Sequence, residues 1–420
     1  MWPGIAEVVE KCYFCGKISM AMTNYNFDNV IDRHGTACVK IDRLDAVFGR
    51  HDLTPLWIAD LDFAVCPKIT EALIERLQHP VLGYSEAADS YWQSIIDWNR
   101  RRHSFGIAKD ELCFIPGVVK GIALAVNYFT ERGDAVVIQP PVYTPFRTVV
   151  EGNGRRVVEN PLIPTGDSYE MDLDGLRDVI AREQPKLLIL CNPHNPIGIQ
   201  WSEATLAELA RICREGGVTV VSDEIHGDLC LDGRPHIPFL ACGEDARAVG
   251  IMLGAPSKTF NIPGLVSSWM VVKNPALRDP FYKWMEVNEF NAPVMISTIG
   301  AEAAYNNGEE WLDQMLAYVQ SNIDFVDDYI RRNIPGLRIV RPQASFLVWL
   351  DFRDLHMCQR EIMDLLLDKA HLALNDGSMF GAQGEGFARL NVGTPRCVLA
   401  HALDSLRTAV CCNCNCTSNN

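Results

Sequence analysis

The chain has 420 residues, 48% of them hydrophobic and 22% charged, which is enough for a large buried core in one extended α/β unit or in two to three domains. Its 53 acidic and 38 basic residues give a formal charge of −15, a balance that repels nucleic acid and anionic membrane and suits a protein acting on small molecules. No apolar run reaches the roughly 18 residues of a membrane span. Glu7, Glu10 and Lys11 interrupt the apolar stretch an export signal needs, so a cytoplasmic location is expected.

Fifteen cysteines would suit a disulfide scaffold, but those between positions 38 and 397 are scattered and read as free core thiols. The rest cluster at the two ends, Cys12 and Cys15 as a C-x-x-C and Cys411, Cys412, Cys414 and Cys416 near the C-terminus. C-x-x-C is half of a common zinc motif, but the CCNCNC spacing does not supply a matching half. Both ends are therefore expected to be unstructured extensions.

In chain order, TPLWIADLDF (54–63) reads as a strand and loop entering a larger body. Helical periodicity begins at Ile69, places Ala72, Leu73, Arg76 and Leu77 on one face, and ends near His79-Pro80. A second amphipathic helix is predicted from Tyr91 to Arg101. Continuously apolar runs follow at 135–139, 186–191, 218–222, 249–253 and 268–272, as strands buried on both faces require. Between two of them a helix opens at Ser202 and stops at Gly216-Gly217. Such βα alternation predicts a mostly parallel sheet flanked by helices. Past Phe281 the pattern is helical, with a long stretch from Gly308 to Asn333. Strands at 346–352 and 387–392, a helix at 359–371 and a last helix then suggest a smaller α/β domain.

Three motifs follow three of the buried runs: CNPHNPIG (191–198), SDEIHGD (222–228) and APSKTFNIPG (255–264). The carboxyl ends of strands in an open α/β sheet form the ligand crevice, so these loops can converge. They carry Asn195, Asp223 with His226, and Lys258. A lysine and an aspartate so placed suit a carbonyl cofactor: the amine forms a Schiff base, and the carboxylate keeps a pyridine nitrogen protonated. A metal site from Asp223, Glu224, His226 and His236 is open on residue types alone, but leaves Lys258 and Asn195 without a purpose. GNGRR (152–156) and GAQGEG (381–386) lack the spacing of a dinucleotide-binding turn.

With PLWIADLDF, GYS (83–85), PGVV (116–119), PPVYTPF (140–146) and FARLNVG (387–393), these motifs resemble the pyridoxal-phosphate enzymes of fold type I. More narrowly they resemble the class I/II aminotransferase family and its cystathionine β-lyase (MalY/PatB) branch, over residues 28–410. The resemblance implies a large cofactor-binding domain (76–305), a small C-terminal domain (306–410) to which 28–75 contributes, an N-terminal extension (1–27) and a Cys-rich tail (411–420). It implies that Lys258 carries pyridoxal 5′-phosphate and later shuttles the Cα proton, that Asp223 pairs with the ring nitrogen, and that Asn195 bonds the phenolic oxygen. His226 stands where many relatives place a tyrosine on that same oxygen, and Tyr143 would stack on the ring. The phosphate would be held by the amides of Gly117, Val118 and Val119, by Ser257, and by Tyr84 of a neighbouring subunit, hence a homodimer with shared active sites. Arg389 would bind the carboxylate of a small amino-acid substrate through its planar fork. Ala255 and Val266 replace a hydroxyl residue and an arginine that grip the phosphate in many aminotransferases, and Lys120 could add charge there. The implied activity is β-elimination from L-cystathionine or a related cysteine S-conjugate. Transamination by the same residues, and a regulatory binding protein that keeps the fold, are the alternatives.

Overall fold

The computed structural model describes residues 24–417, with side chains to Cys412. The Cys12/Cys15 pair lies outside the described residues. Seven strands form the central sheet: β1 (Leu112–Ile115), β2 (Ala135–Ile138), β3 (Arg156–Glu159), β4 (Leu187–Cys191), β5 (Thr219–Asp223), β6 (Gly250–Gly254) and β7 (Ser268–Val271). Their spatial order is β1-β7-β6-β5-β4-β2-β3. Alternate side chains enter two separate apolar cores. Leu188 and Leu190 pack on one face with Leu206, Leu209 and Trp98, whereas Leu187 and Ile189 pack on the other with Ile122, Phe146 and Phe281. Two-sided burial is why these strands read as unbroken apolar runs.

The sheet is parallel except for β7, which runs antiparallel to both β1 and β6. A parallel return needs a crossover of a dozen or more residues, usually with a helix. Residues 255–267 instead spend their length on one helical turn, Pro256–Thr259, and a 3₁₀ turn, Pro263–Leu265, laid across the strand ends. The chain therefore comes back in the opposite direction, and Lys258 stays at the sheet's carboxyl edge.

A second sheet, antiparallel throughout, joins β8 (Arg338–Val340), β9 (Leu347–Asp351), β10 (Asn375–Asp376) and β11 (Phe387–Asn391) in the order β8-β9-β11-β10. Thr54–Pro55 pairs with Leu372–Ala373, and the chain then passes between the sheets as a strap, residues 56–63. The Leu56 amide donates to Ala373 O at 3.0 Å and the Asp62 amide to Gly393 O at 2.8 Å. The C-terminal segment departs from expectation: the last helix, Arg396–Thr417, continues into the cysteine-rich tail. Nothing after Pro395 breaks it, because no glycine or proline follows.

Phe27, at the end of the segment expected to be an extension, is buried against Phe63, Trp311 and Tyr318 at ring separations of 5.1, 5.9 and 5.6 Å. Truncating a buried aromatic costs about 3–5 kcal/mol. Phe27→Ala should therefore lower the denaturant midpoint by the equivalent of about 3 kcal/mol; an unchanged midpoint would show that this anchor is dispensable.

Candidate active site

Five strand ends converge on one cleft. Directly after β1, Gly117 takes φ +123°, a conformation closed to most side chains, and turns the chain into the helix Val118–Phe129. That places Gly117, Val118 and Val119 at the cleft wall with a helix N-terminus behind them, where free amide donors and the dipole favour an anion. Tyr143 follows β2, and its amide donates to Asn195 O at 3.1 Å. Asn195 follows β4, Asp223 closes β5, and Lys258 sits in the turn after β6. These residues, with His226 and Ser257, line a cavity of about 320 Å³. Lys120 also lines it, on the exposed side.

The charges in this cleft lack conventional partners. The Asp223 carboxylate accepts from the Ile225 amide at 3.1 Å, and burial raises its pKa to about 7. Burial likewise brings the Lys258 amine down to about 8, against the opposing pull of Asp60. Lys258 Nζ donates to the Ala59 carbonyl at 2.5 Å. Arg389 is buried and donates to three neutral oxygens: Asn195 Oδ1 at 2.9 Å, Trp57 O at 3.0 Å and Asn375 Oδ1 at 2.6 Å. Its Nε has no partner, burial pulls its pKa down to about 10, and its guanidinium lies 5.0 Å from the Phe380 ring centre. His226 is buried with Nδ1 unpartnered and is held neutral, its pKa near 3.

Isolated buried charges are costly. A group with a pyridine nitrogen, a phenolic oxygen, an aldehyde and a phosphate suits these residues in turn: Asp223, Asn195 with His226, Lys258, and the amides after Gly117. The residues present thus fit pyridoxal phosphate, and a substrate carboxylate fits Arg389. The candidate metal ligands divide instead. Asp223 and His226 face the cleft, while Glu224 pairs with His236 at 2.7 Å and accepts from Ser222 Oγ and the Phe239 amide. Among the described residues no group of three or more such side chains could hold a metal ion.

Two of the named residues do not line the cleft: Arg389 meets it through Asn195, and Tyr84 lies apart from it. It is fully exposed on an extended loop beside exposed Val81 and Leu82. Sequence reasoning missed the supports. Asp228 is largely enclosed, with its side chain 10% exposed, and takes three hydrogen bonds at 2.8 Å, from Trp98 Nε1, His103 Nε2 and Thr259 Oγ1. It thereby fixes the turn that carries Lys258 to the loop that carries His226. Its position within SDEIHGD was the available signal. Trp57 and Ala59 act through backbone carbonyls, which leave no mark on residue type.

Comparison with known proteins gives the family and the fold. The fold and cleft define a fold-type I enzyme. The chain belongs to the class I and II aminotransferase family, whose profile matches residues 51–406. It is 40% identical over 382 residues, covering 91% of this chain and 98% of its relative, to cystathionine β-lyase PatB of Bacillus subtilis (strain 168). It is 34% identical to protein MalY of Escherichia coli (strain K12), with 92% and 99% coverage. Among solved structures, cystalysin of Treponema denticola, which contains a pyridoxal 5′-phosphate cofactor, superposes with a TM-score of 0.89 at 30% identity, covering 93% of this chain and 100% of that one.

The Asp223 carboxyl holds its proton more tightly folded, near 7, than its ordinary 3.8, so the cofactor-free fold loses stability as pH rises through that interval. Asp223→Asn should therefore melt higher than the wild type when both are stripped of cofactor at pH 8, with the gap closing below pH 7. Equal melting at both pH values would contradict an uncompensated carboxylate.

Proposed function

We propose that the chain is a pyridoxal-phosphate-dependent carbon–sulfur β-lyase that converts L-cystathionine, or a related cysteine S-conjugate, to a thiol, pyruvate and ammonia. One observation carries the reading: the Lys258 amine and the Asp223 carboxyl line one cleft, the Arg389 guanidinium is held against it through Asn195, and none of the three is directly ion-paired, in a chain whose near-full-length relatives include a named cystathionine β-lyase.

Arg389 receives the substrate α-carboxylate in place of its neutral oxygen partners, a charge-assisted and bidentate exchange. Lys258 Nζ, with its proton affinity lowered by burial, takes the Cα proton. With the cofactor bound, Asp223 would keep the ring nitrogen protonated, and Asn195 and His226 would be placed to meet the ring's oxygen. Lys258, Asp223, Asn195, His226, Tyr143, Ser257 and the Gly117–Val119 amides would hold the cofactor. When bound, it supplies an electron-withdrawing ring that makes loss of the Cα proton accessible. A thiolate at Cβ can then depart, and the released aminoacrylate hydrolyses to pyruvate and ammonia.

The same residues serve transamination, so the preference for elimination rests on the named lyases. The working form is read as a homodimer whose Tyr84 completes the phosphate site of the neighbouring subunit. The exposed apolar residues Ile74, Leu77, Val81, Leu82 and Tyr84 on one segment support that reading. A cytoplasmic location is read from the sequence, and no helix among the described residues is long and apolar enough to cross a membrane.

Incubation with L-cystathionine should release pyruvate at the same rate with and without a 2-oxo acid acceptor, and Lys258→Ala should lower that rate at least about 10³-fold. Turnover that requires the acceptor would identify an aminotransferase instead.

A further inference from the structure

The strap 56–63 carries a partly buried ionic cluster that the chemistry above does not use. Asp60 receives Arg33 on both oxygens, at 2.6 and 3.3 Å. Lys40, whose side chain is wholly buried, lies 2.7 Å from Asp62 and 3.6 Å from Asp60, and Arg33 also reaches Asp62 at 2.7 Å. Two cations are thus shared between two carboxylates. Asn391 Nδ2 fixes the strap further, donating to the carbonyls of Ile58 and Asp60 at 2.6 Å each. Between those carbonyls lies that of Ala59, which accepts from Lys258 Nζ.

We propose that Asp60 is a positioning residue for Lys258: clamped by Arg33 and Lys40, it fixes the Ala59 carbonyl on Nζ and sets the proton affinity of that nitrogen through its own negative charge. The charged groups acting on Lys258 are Asp60 from the strap, Asp223 from the end of β5 and Arg389 from β11, and His226 faces it as a neutral ring. Asp60 and Asp223 favour the protonated amine, whereas burial and Arg389 oppose it. Asp62 shares the cations of Asp60 but stands three residues past Ala59, so the two carboxylates separate the shared clamp from the charge next to the carbonyl on Nζ.

The inference rests on Lys258 carrying the cofactor, and its test is a pH titration of the visible absorption band of the full-length holoenzyme, which reports protonation at Nζ. Removing a neighbouring negative charge disfavours the protonated form. Asp60→Asn should therefore move the midpoint to lower pH by roughly half a unit to one unit, and move the acid limb of kcat in the same direction. Asp60→Glu, which keeps the charge, should restore most of the difference, and Asp62→Asn should leave the midpoint at the wild-type value. Identical midpoints in wild type and Asp60→Asn, or equal shifts in Asp60→Asn and Asp62→Asn, would overturn the inference while leaving the proposed function standing. A wild-type protein with no cofactor band would overturn both.

Discussion

The structure depends on holding three ionisable side chains, buried Asp223 and Arg389 and partly buried Lys258, around one cleft without letting them neutralise one another. In a hydrophobic interior such groups either pair or shift toward their neutral forms. The shifts run in the directions burial dictates: the carboxyl rises to about 7, the amine falls to about 8 and the guanidinium to about 10. That frustration is stable only because the surrounding fold is over-determined. Two apolar cores hold the sheet from both sides, and Asp223 and Lys258 are displayed at its strand ends, where the backbone changes direction and a cleft is unavoidable, while Arg389 comes from the middle of β11.

Neutral oxygens keep the cations in place without cancelling them. Arg389 rests on Asn195, Asn375 and the Trp57 carbonyl, and Lys258 rests on the Ala59 carbonyl. Both carbonyls belong to the strap, so one short segment orients the two cations that would meet the substrate. Asn391 and Asn261 satisfy the strap's other backbone groups, Asn261 Nδ2 donating to the carbonyls of Leu61 and Phe63. Asp228 plays the matching role from beneath, tying the Lys258 turn to the helix Asp89–His103 through Thr259, Trp98 and His103. Each charged group is therefore held by contacts that leave its charge free for a ligand.

Much of this was legible in the sequence, for reasons that also explain what was not. Strands β2, β4, β5 and β6 announced themselves because two-sided burial demands apolar residues at every position. The motifs after β4, β5 and β6 marked the cleft because asparagine, aspartate and lysine there have no packing purpose. Strand β1, LCFI, escaped notice although it is as short and as fully buried as β2. The reversal of β7 was equally hidden, because an apolar run carries no direction. The helical tail was misjudged from composition, although an absence of breakers favoured its continuation. The strap appeared as a motif, but its function lies in carbonyl groups common to every residue, and only the fold shows which of them face Lys258 and Arg389.

The central claim is that this cleft is completed by a cofactor bound through Lys258, and borohydride reduction of the holoprotein followed by peptide mapping tests it directly. Reduction should remove the visible band and leave a stable cofactor adduct on the peptide that contains Lys258. An adduct confined to another lysine, such as Lys120 at the cavity rim, or no adduct on a protein supplied with the cofactor, would contradict it.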